Sequence, residues 1–284
     1  EGRWRLAAVM TLGLGLFLTG CQELLQVDLP GTVTTEALDN PQLAEVLVNS
    51  AIGQVECTLS RFNASNSAGN EDVFIVLDQL QGAGALKYQV FVDGGNTCDS
   101  GGDDGFSWWD PGQKARFLSE DIYERLTDDP SKNRYWETAD IDRGLINFDS
   151  REQMLGVSAL YSSIAYTLFG EHLCEITFSS AGAVAGTLKT PTETLAIGEG
   201  WLTTALGHIQ THVSDFVAAG GTDAEARALP YSITTDVVDM IYALRARTRW
   251  AMGDATGAVS DATQVAQGFV AWVTRNAGLE DERE

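Results

Sequence analysis

The sequence predicts a mostly α fold, built of paired helices joined in places by long irregular loops. Three observations predict it. From Arg151 onward apolar residues recur at the 3.6-residue period in one segment after another. Pro, Asn, Thr and Gly stand where helices start and stop. A Gly/Asp-rich stretch, Val92 to Gln113, has no period at all and reads as a loop. With 44% hydrophobic residues the chain can bury a core.

The first segment is not part of that fold. Arg3 and Arg5 precede an apolar run from Leu6 to Leu18. A positive start, a short apolar run and small residues before a cut make a signal peptide. The run is shorter than the roughly 20 residues a spanning helix needs. Leu18-Thr19-Gly20-Cys21 resembles a bacterial lipobox. That resemblance implies cleavage before Cys21 and a diacylglycerol thioether on its thiol. Thiolates alkylate well, and two or more acyl chains anchor where one does not. Gln22, rather than Asp, after the cysteine favours sorting to the outer membrane. Residues 1–20 are therefore expected as the signal and 21–284 as one helical repeat domain.

Residues 22–35 read as a tether. Pro41 to Phe62 reads as the first helix, with Asn40 as N-cap and Leu43, Val46, Leu47 and Ser50/Ala51 as its buried face. The Val92–Gln113 loop follows an ambiguous segment, Glu71 to Leu80. A helix over Lys114 to Leu126 carries Phe117, Ile122 and Leu126. Residues 153–174 form an apolar-faced helix. Residues 190–218 form the next, with Pro191 at its boundary and Thr192 as a candidate cap. Residues 234–254 and 255–267 make a helix pair turned at Gly253-Asp254.

These pairs resemble tetratricopeptide repeats, in which small residues at fixed places let two helices approach closely. Gly253 is followed by Ala258, Ala262 and Val265, and Gly198 by Leu202 and Ala205. Tyr166 and Gly170 stand four apart on the preceding helix, as the repeat's Tyr and Gly do. The lipobox, "LLQVDLPGTVTTEAL", "AEVLVNSAIGQVE" and "AYTLFGEHLCE" follow one another in the order of the RagB/SusD family of outer-membrane nutrient-uptake lipoproteins. The resemblance runs from Leu18 to about Phe269, weakly between Phe74 and Asp149. It implies a SusD-like fold and a lipid-anchored protein facing outward from the cell outer membrane. It implies binding of a glycan, oligosaccharide or peptide, delivery to a SusC-like TonB-dependent transporter, and no catalysis. Family members are longer, so part of the family's C-terminal half is expected to be absent from these 284 residues. The other reading is a tetratricopeptide-type scaffold lipoprotein for envelope assembly.

The formal net charge of -22 argues against nucleic acid, whose phosphates need a basic footprint, and against lying on anionic lipid. The membrane contact expected is the acyl anchor alone. With Cys21 lipidated, Cys57, Cys98 and Cys174 remain in an oxidising compartment. One disulfide and one spare thiol is the simplest count; Cys57–Cys174 is the expected pair, with Cys98 a competitor. His208 and His212 are spaced to share a helix face, but no third metal ligand is evident, so neither metal nor cofactor is expected. The Asp93–Asp104 run has calcium-like ligands without EF-hand spacing. No nucleophile motif or phosphate loop appears. Trp108 and Trp109 are the candidate ligand contacts. In extended chain one of two neighbours can face outward, and flat aromatic faces suit sugar rings. Trp136, Trp201, Trp250 and Trp272 fall in helical patterns and are expected in the core.

Overall fold

Asn40 starts the first helix as its sequence suggests. Its Oδ1 accepts from the Gln42 N–H at 3.0 Å, and Pro41 occupies the first turn. The computed structural model describes residues 39–69, 108–127, 145–178, 186–229 and 236–271. Among them 74% are helical, in seven α-helices with little sheet. The contacts divide the chain after Asp39, and every element described lies in the second unit.

After the 3-10 turn Pro41–Leu43, α1 runs Ala44–Gly69, past the expected end at Phe62. Its buried face is Ala44, Leu47, Val48, Ala51, Ile52 and Val55. That face is turned from the expected one: Val46 is 57% exposed and Ser50 also faces solvent. Both stripes have helical spacing, and only the position of the partner helices selects between them.

Helix α2 spans Trp109–Leu126, beginning five positions before the expected Lys114. Trp108 is its N-cap residue and Trp109 its first helical residue, so neither stands in an extended loop. Pro111 fits this because the first helical turn has no need of its N–H. Ala115, Ser119, Ile122 and Leu126 are buried along one side.

Helix α3, Arg151–His172, is the centre of the fold. Every residue from Gln153 to Gly170 is buried, and α1, α2 and two later helices, α4 (Pro191–Ala218) and α6 (Val237–Met252), all contact it. Some of the polar side chains enclosed there pair within the protein, although the Ser158 and Ser162 hydroxyls do not. Ser163 Oγ donates to the Leu160 carbonyl, and Thr167 shares a 2.9 Å hydrogen bond with Thr248. Ser150 caps the helix by accepting from the Gln153 N–H at 3.1 Å. A two-residue antiparallel ladder follows, β1 (Ile176–Thr177) with β2 (Leu188–Lys189).

Helix α4, Pro191–Ala218, opens with a full capping box. The cap is Thr190, not Thr192: its hydroxyl accepts from the Glu193 N–H, while Glu193 Oε2 accepts from the Thr190 N–H at 2.8 Å. Leu195, Gly198, Leu202, Ala205, Leu206 and Ile209 are its apolar stripe, laid against α3. The contact is close because glycines line it. A Cβ at Gly198 would sit 3.2 Å from Tyr166 Cβ, and one at Gly156 2.6 Å from Ile209.

The short α5 (Asp223–Ala226) leads to α6 (Val237–Met252) and α7 (Ala255–Ala262). The turn between α6 and α7 is where it was expected. Gly253 takes φ 86°, a left-handed conformation that needs glycine, and Asp254 caps α7 through the Gly257 N–H. Helix α7 stops at Ala262, short of the expected 267. No described helix is long and apolar enough to cross a membrane.

Candidate functional site

Trp108 and Trp109 support a core. Trp108 is 1% exposed. Its ring meets Phe62 edge-on at 5.3 Å and stacks on Phe169 at 5.5 Å. Trp109, half-buried, lies 5.4 Å from the same Phe169. Offering a stacking face to a ligand therefore does not suit Trp108, and the outer part of Trp109 is the only surface of the two that solvent reaches. The helix start places both rings on α3 because Phe169 and Ala165 present an apolar surface there.

The cluster around these rings backs a cleft. Leu59 and Leu168 belong to both. The cleft holds about 460 Å³ between α1, α3, α6 and the segment 269–271. Its floor is Ile164 and Leu168, both buried. Its walls are Leu59, Met240, Leu244 and Phe269, all half-exposed. Thr167, Tyr161 and Glu56 add buried polar groups, and Arg247 stands at the edge. A largely apolar cavity with few polar groups is the usual form of a small-ligand site.

At the edge, Arg247 Nε and Nη2 donate to the two Glu171 oxygens at 2.8 and 2.6 Å. This pairing holds the Arg247 charge more firmly than usual. His172 lies beside it, its Nε2 3.7 Å from Glu171 and its ring 4.5 Å from Phe62. Burial lowers the His172 pKa, outweighing the attraction of Glu171.

Two further polar groups join residues distant in sequence. Tyr123 Oη lies 3.0 Å from His208 Nε2, and His208 Nδ1 lies 2.7 Å from Glu152. Burial, then the Glu152 charge, raises the Tyr123 pKa, which keeps the phenol protonated and makes it a poor nucleophile. Tyr166 donates to Glu120 at 2.6 Å, and Arg116 pairs with the other Glu120 oxygen at 2.7 Å. Burial raises both the Glu120 and Tyr166 pKa values, the neighbouring charge of Glu120 adding to the shift of Tyr166. Sequence reasoning missed both groups, since no spacing connects α2 with α3 and α4.

His208 and His212 do not share a ligand. His212 turns to Ser150, with 2.9 Å from its Nδ1 to the hydroxyl, and packs on Phe216. Its Nε2 makes no close hydrogen bond, although the nearby Ala226 carbonyl favours the protonated form. Burial still dominates and lowers its pKa. Among the described residues no group of His, Cys, Asp and Glu could hold a metal ion.

The expected Cys57–Cys174 pair is not formed. Cys174 is a free thiol on the surface just past α3, whereas Cys57 is buried on α1 and disulfide-bonded elsewhere. Helical pattern alone put both cysteines on helices, but the chain leaves α3 before Cys174 and turns it outward. Cys21, Cys98, the Asp93–Asp104 run, Trp136 and Trp272 also lie outside the described residues. Trp201 is half-buried against Tyr123 at 5.0 Å, but Trp250 is 69% exposed and not in the core. Comparison of the chain with protein-family models, curated proteins and solved structures finds no match.

Proposed function

We propose that the protein is a lipid-anchored binding protein of the SusD type, facing outward from the cell outer membrane. It captures a nutrient ligand (glycan, oligosaccharide or peptide) and passes it to a TonB-dependent transporter. The observation that carries this reading is the order of sequence signals. A lipobox ending at Cys21 is followed by "LLQVDLPGTVTTEAL" and then by the Asn40-Pro41 helix start. On this reading α3 with α4, and α6 with α7, are two tetratricopeptide-like pairs. Buried Ala205 and Ala258 at helix contacts, and the left-handed Gly253 between α6 and α7, support the pairing. The cleft of about 460 Å³ supports binding. Burial raises the pKa of the Tyr123 and Tyr166 phenols, which gives no support to nucleophilic chemistry at either.

The test has two parts. Labelled palmitate should enter the wild-type protein and not Cys21→Ser, and the variant should leave the membrane fraction. Cross-linking in native membranes should then recover a large TonB-dependent barrel. A protein that remains equally membrane-bound without Cys21 removes the anchor from the proposal. The second reading, a scaffold for envelope assembly, is favoured by Trp250 and Val259, 69% and 61% exposed on the terminal helix pair. Recovery of assembly factors in place of a transporter would establish it.

A further inference from the structure

The cleft has an asymmetry that points to a ligand class. Its surface is mostly aliphatic, and two charged residues line it. Glu56 is buried at 8% exposure and already engaged. Arg247 is open, with 54% of its side chain exposed. Two of its nitrogens serve Glu171, and Nη1 has no partner among the described residues. So the cleft offers one free charged donor, and it is positive, on a protein whose net charge is -22.

The apolar walls argue for a matching ligand body. Leu59, Met240, Leu244 and Phe269 are half-exposed over a buried floor of Ile164 and Leu168. A concave, mostly apolar surface with one accessible charged donor has the form of a small-ligand site. A sugar ring would leave its hydroxyls unpaired against these walls, which is costly. An aliphatic chain would lose nothing there.

We propose that the cleft between α1, α3 and α6 binds a small amphiphile with an aliphatic body and one anionic end. The body lies on Ile164, Leu168, Met240 and Leu244, and the anion accepts from Arg247 Nη1. Glu171 limits the affinity, because its carboxylate occupies the Nε–Nη2 edge of the same guanidinium and repels the incoming anion. This site stands apart from the nutrient-capture reading and needs neither an anchor nor a transporter.

The test uses the full chain carrying Cys21→Ser, so that no thiol-bound acyl chain competes. Dodecanoate, dodecanol and a neutral maltooligosaccharide are titrated by calorimetry. Dodecanoate should bind about tenfold more tightly than dodecanol, as a charge-assisted hydrogen bond adds to the shared apolar term. The oligosaccharide should not compete. Arg247→Gln should abolish the preference for the acid while dodecanol binding persists. Glu171→Gln should strengthen dodecanoate binding by severalfold, a change that a merely structural Arg247 would not produce. Ala243→Phe, which fills the cleft from α6, should weaken both ligands at least about tenfold. Circular dichroism of each variant confirms its fold. Equal binding of acid and alcohol, or binding unchanged by Ala243→Phe, overturns the proposal, as does an absence of binding to the folded Cys21→Ser chain. Loss of this site would leave recovery of a transporter in the membrane experiment unaffected, so the two readings fail separately.

Discussion

Helix α3 and the α6–α7 pair are held by opposite means. Around α3 the contacts are apolar and close: Leu155, Leu160 and Phe169 are fully enclosed, and glycines let α4 approach. At α6–α7 the junction is ionic. Arg245 grips Asp261 with two 2.8 Å hydrogen bonds, and Arg249 bridges Asp261 at 2.8 Å and Glu199 of α4 at 2.6 Å. Asp261 and Arg245 are buried, so that pair works out of water, whereas Arg249 and Glu199 keep partial access to solvent. Apolar packing tolerates volume-conserving change but not voids. A buried ion network tolerates neither a lost partner nor a misplaced one, yet it adds little over an apolar substitute. The core thus supplies stability, and the terminal pair is positioned by directional bonds.

The largest effect is expected at the aromatic cluster. Trp108→Ala should lower stability by about 3–5 kcal/mol in denaturant titration. A loss under about 1 kcal/mol would mean that the cluster around α3 is not the main store of stability.

Asp261→Ala should cost about 3 kcal/mol, since Arg245 then keeps one 3.3 Å hydrogen bond to Thr203 and its place over the Tyr242 ring but no hydrogen-bonded carboxylate partner. Hydrogen exchange should show the loss in α6 and α7 while α3 stays protected. Replacing the pair with Arg245→Met and Asp261→Leu should recover most of it. If the double variant is as unstable as the single one, the ionic junction contributes net stability of its own, beyond positioning α7.

Thr190→Ala should cost about 1 kcal/mol, because it removes one half of the capping box of α4. Thr190→Asn should restore most of that in thermal melts.

The smallest effect is pH-dependent. His212 has a lowered folded-state pKa, from burial, so the unfolded chain takes up a proton first as pH falls. Stability is lost from about the ordinary value of 6.5 downward and levels off below the folded value. His172 acts in the same direction. Glu120 acts in the other, since burial raises its pKa and acid then favours the folded form. The measurement is therefore the difference in melting temperature between wild type and His212→Gln across this range. A difference that does not shrink on acidification excludes a neutral buried His212.

The sequence by itself determined the class of fold and most helix positions. Those signals are local: a cap bonds two or three residues away, as Asn40 does to Gln42, and a left-handed glycine needs only its own backbone, as at Gly253. The tertiary structure decided what depended on a partner. It turned the buried face of α1 from Val46 to Val48 and enclosed Trp108 under Phe169. It left Trp250 outside and separated Cys174 from Cys57. It also assembled the cleft from α1, α3 and α6, and joined Tyr123 to His208 across 85 positions of chain. Helical spacing says that one stripe will be buried; which stripe, and which polar groups meet behind it, follows from the shape and charge of the helices packed against it.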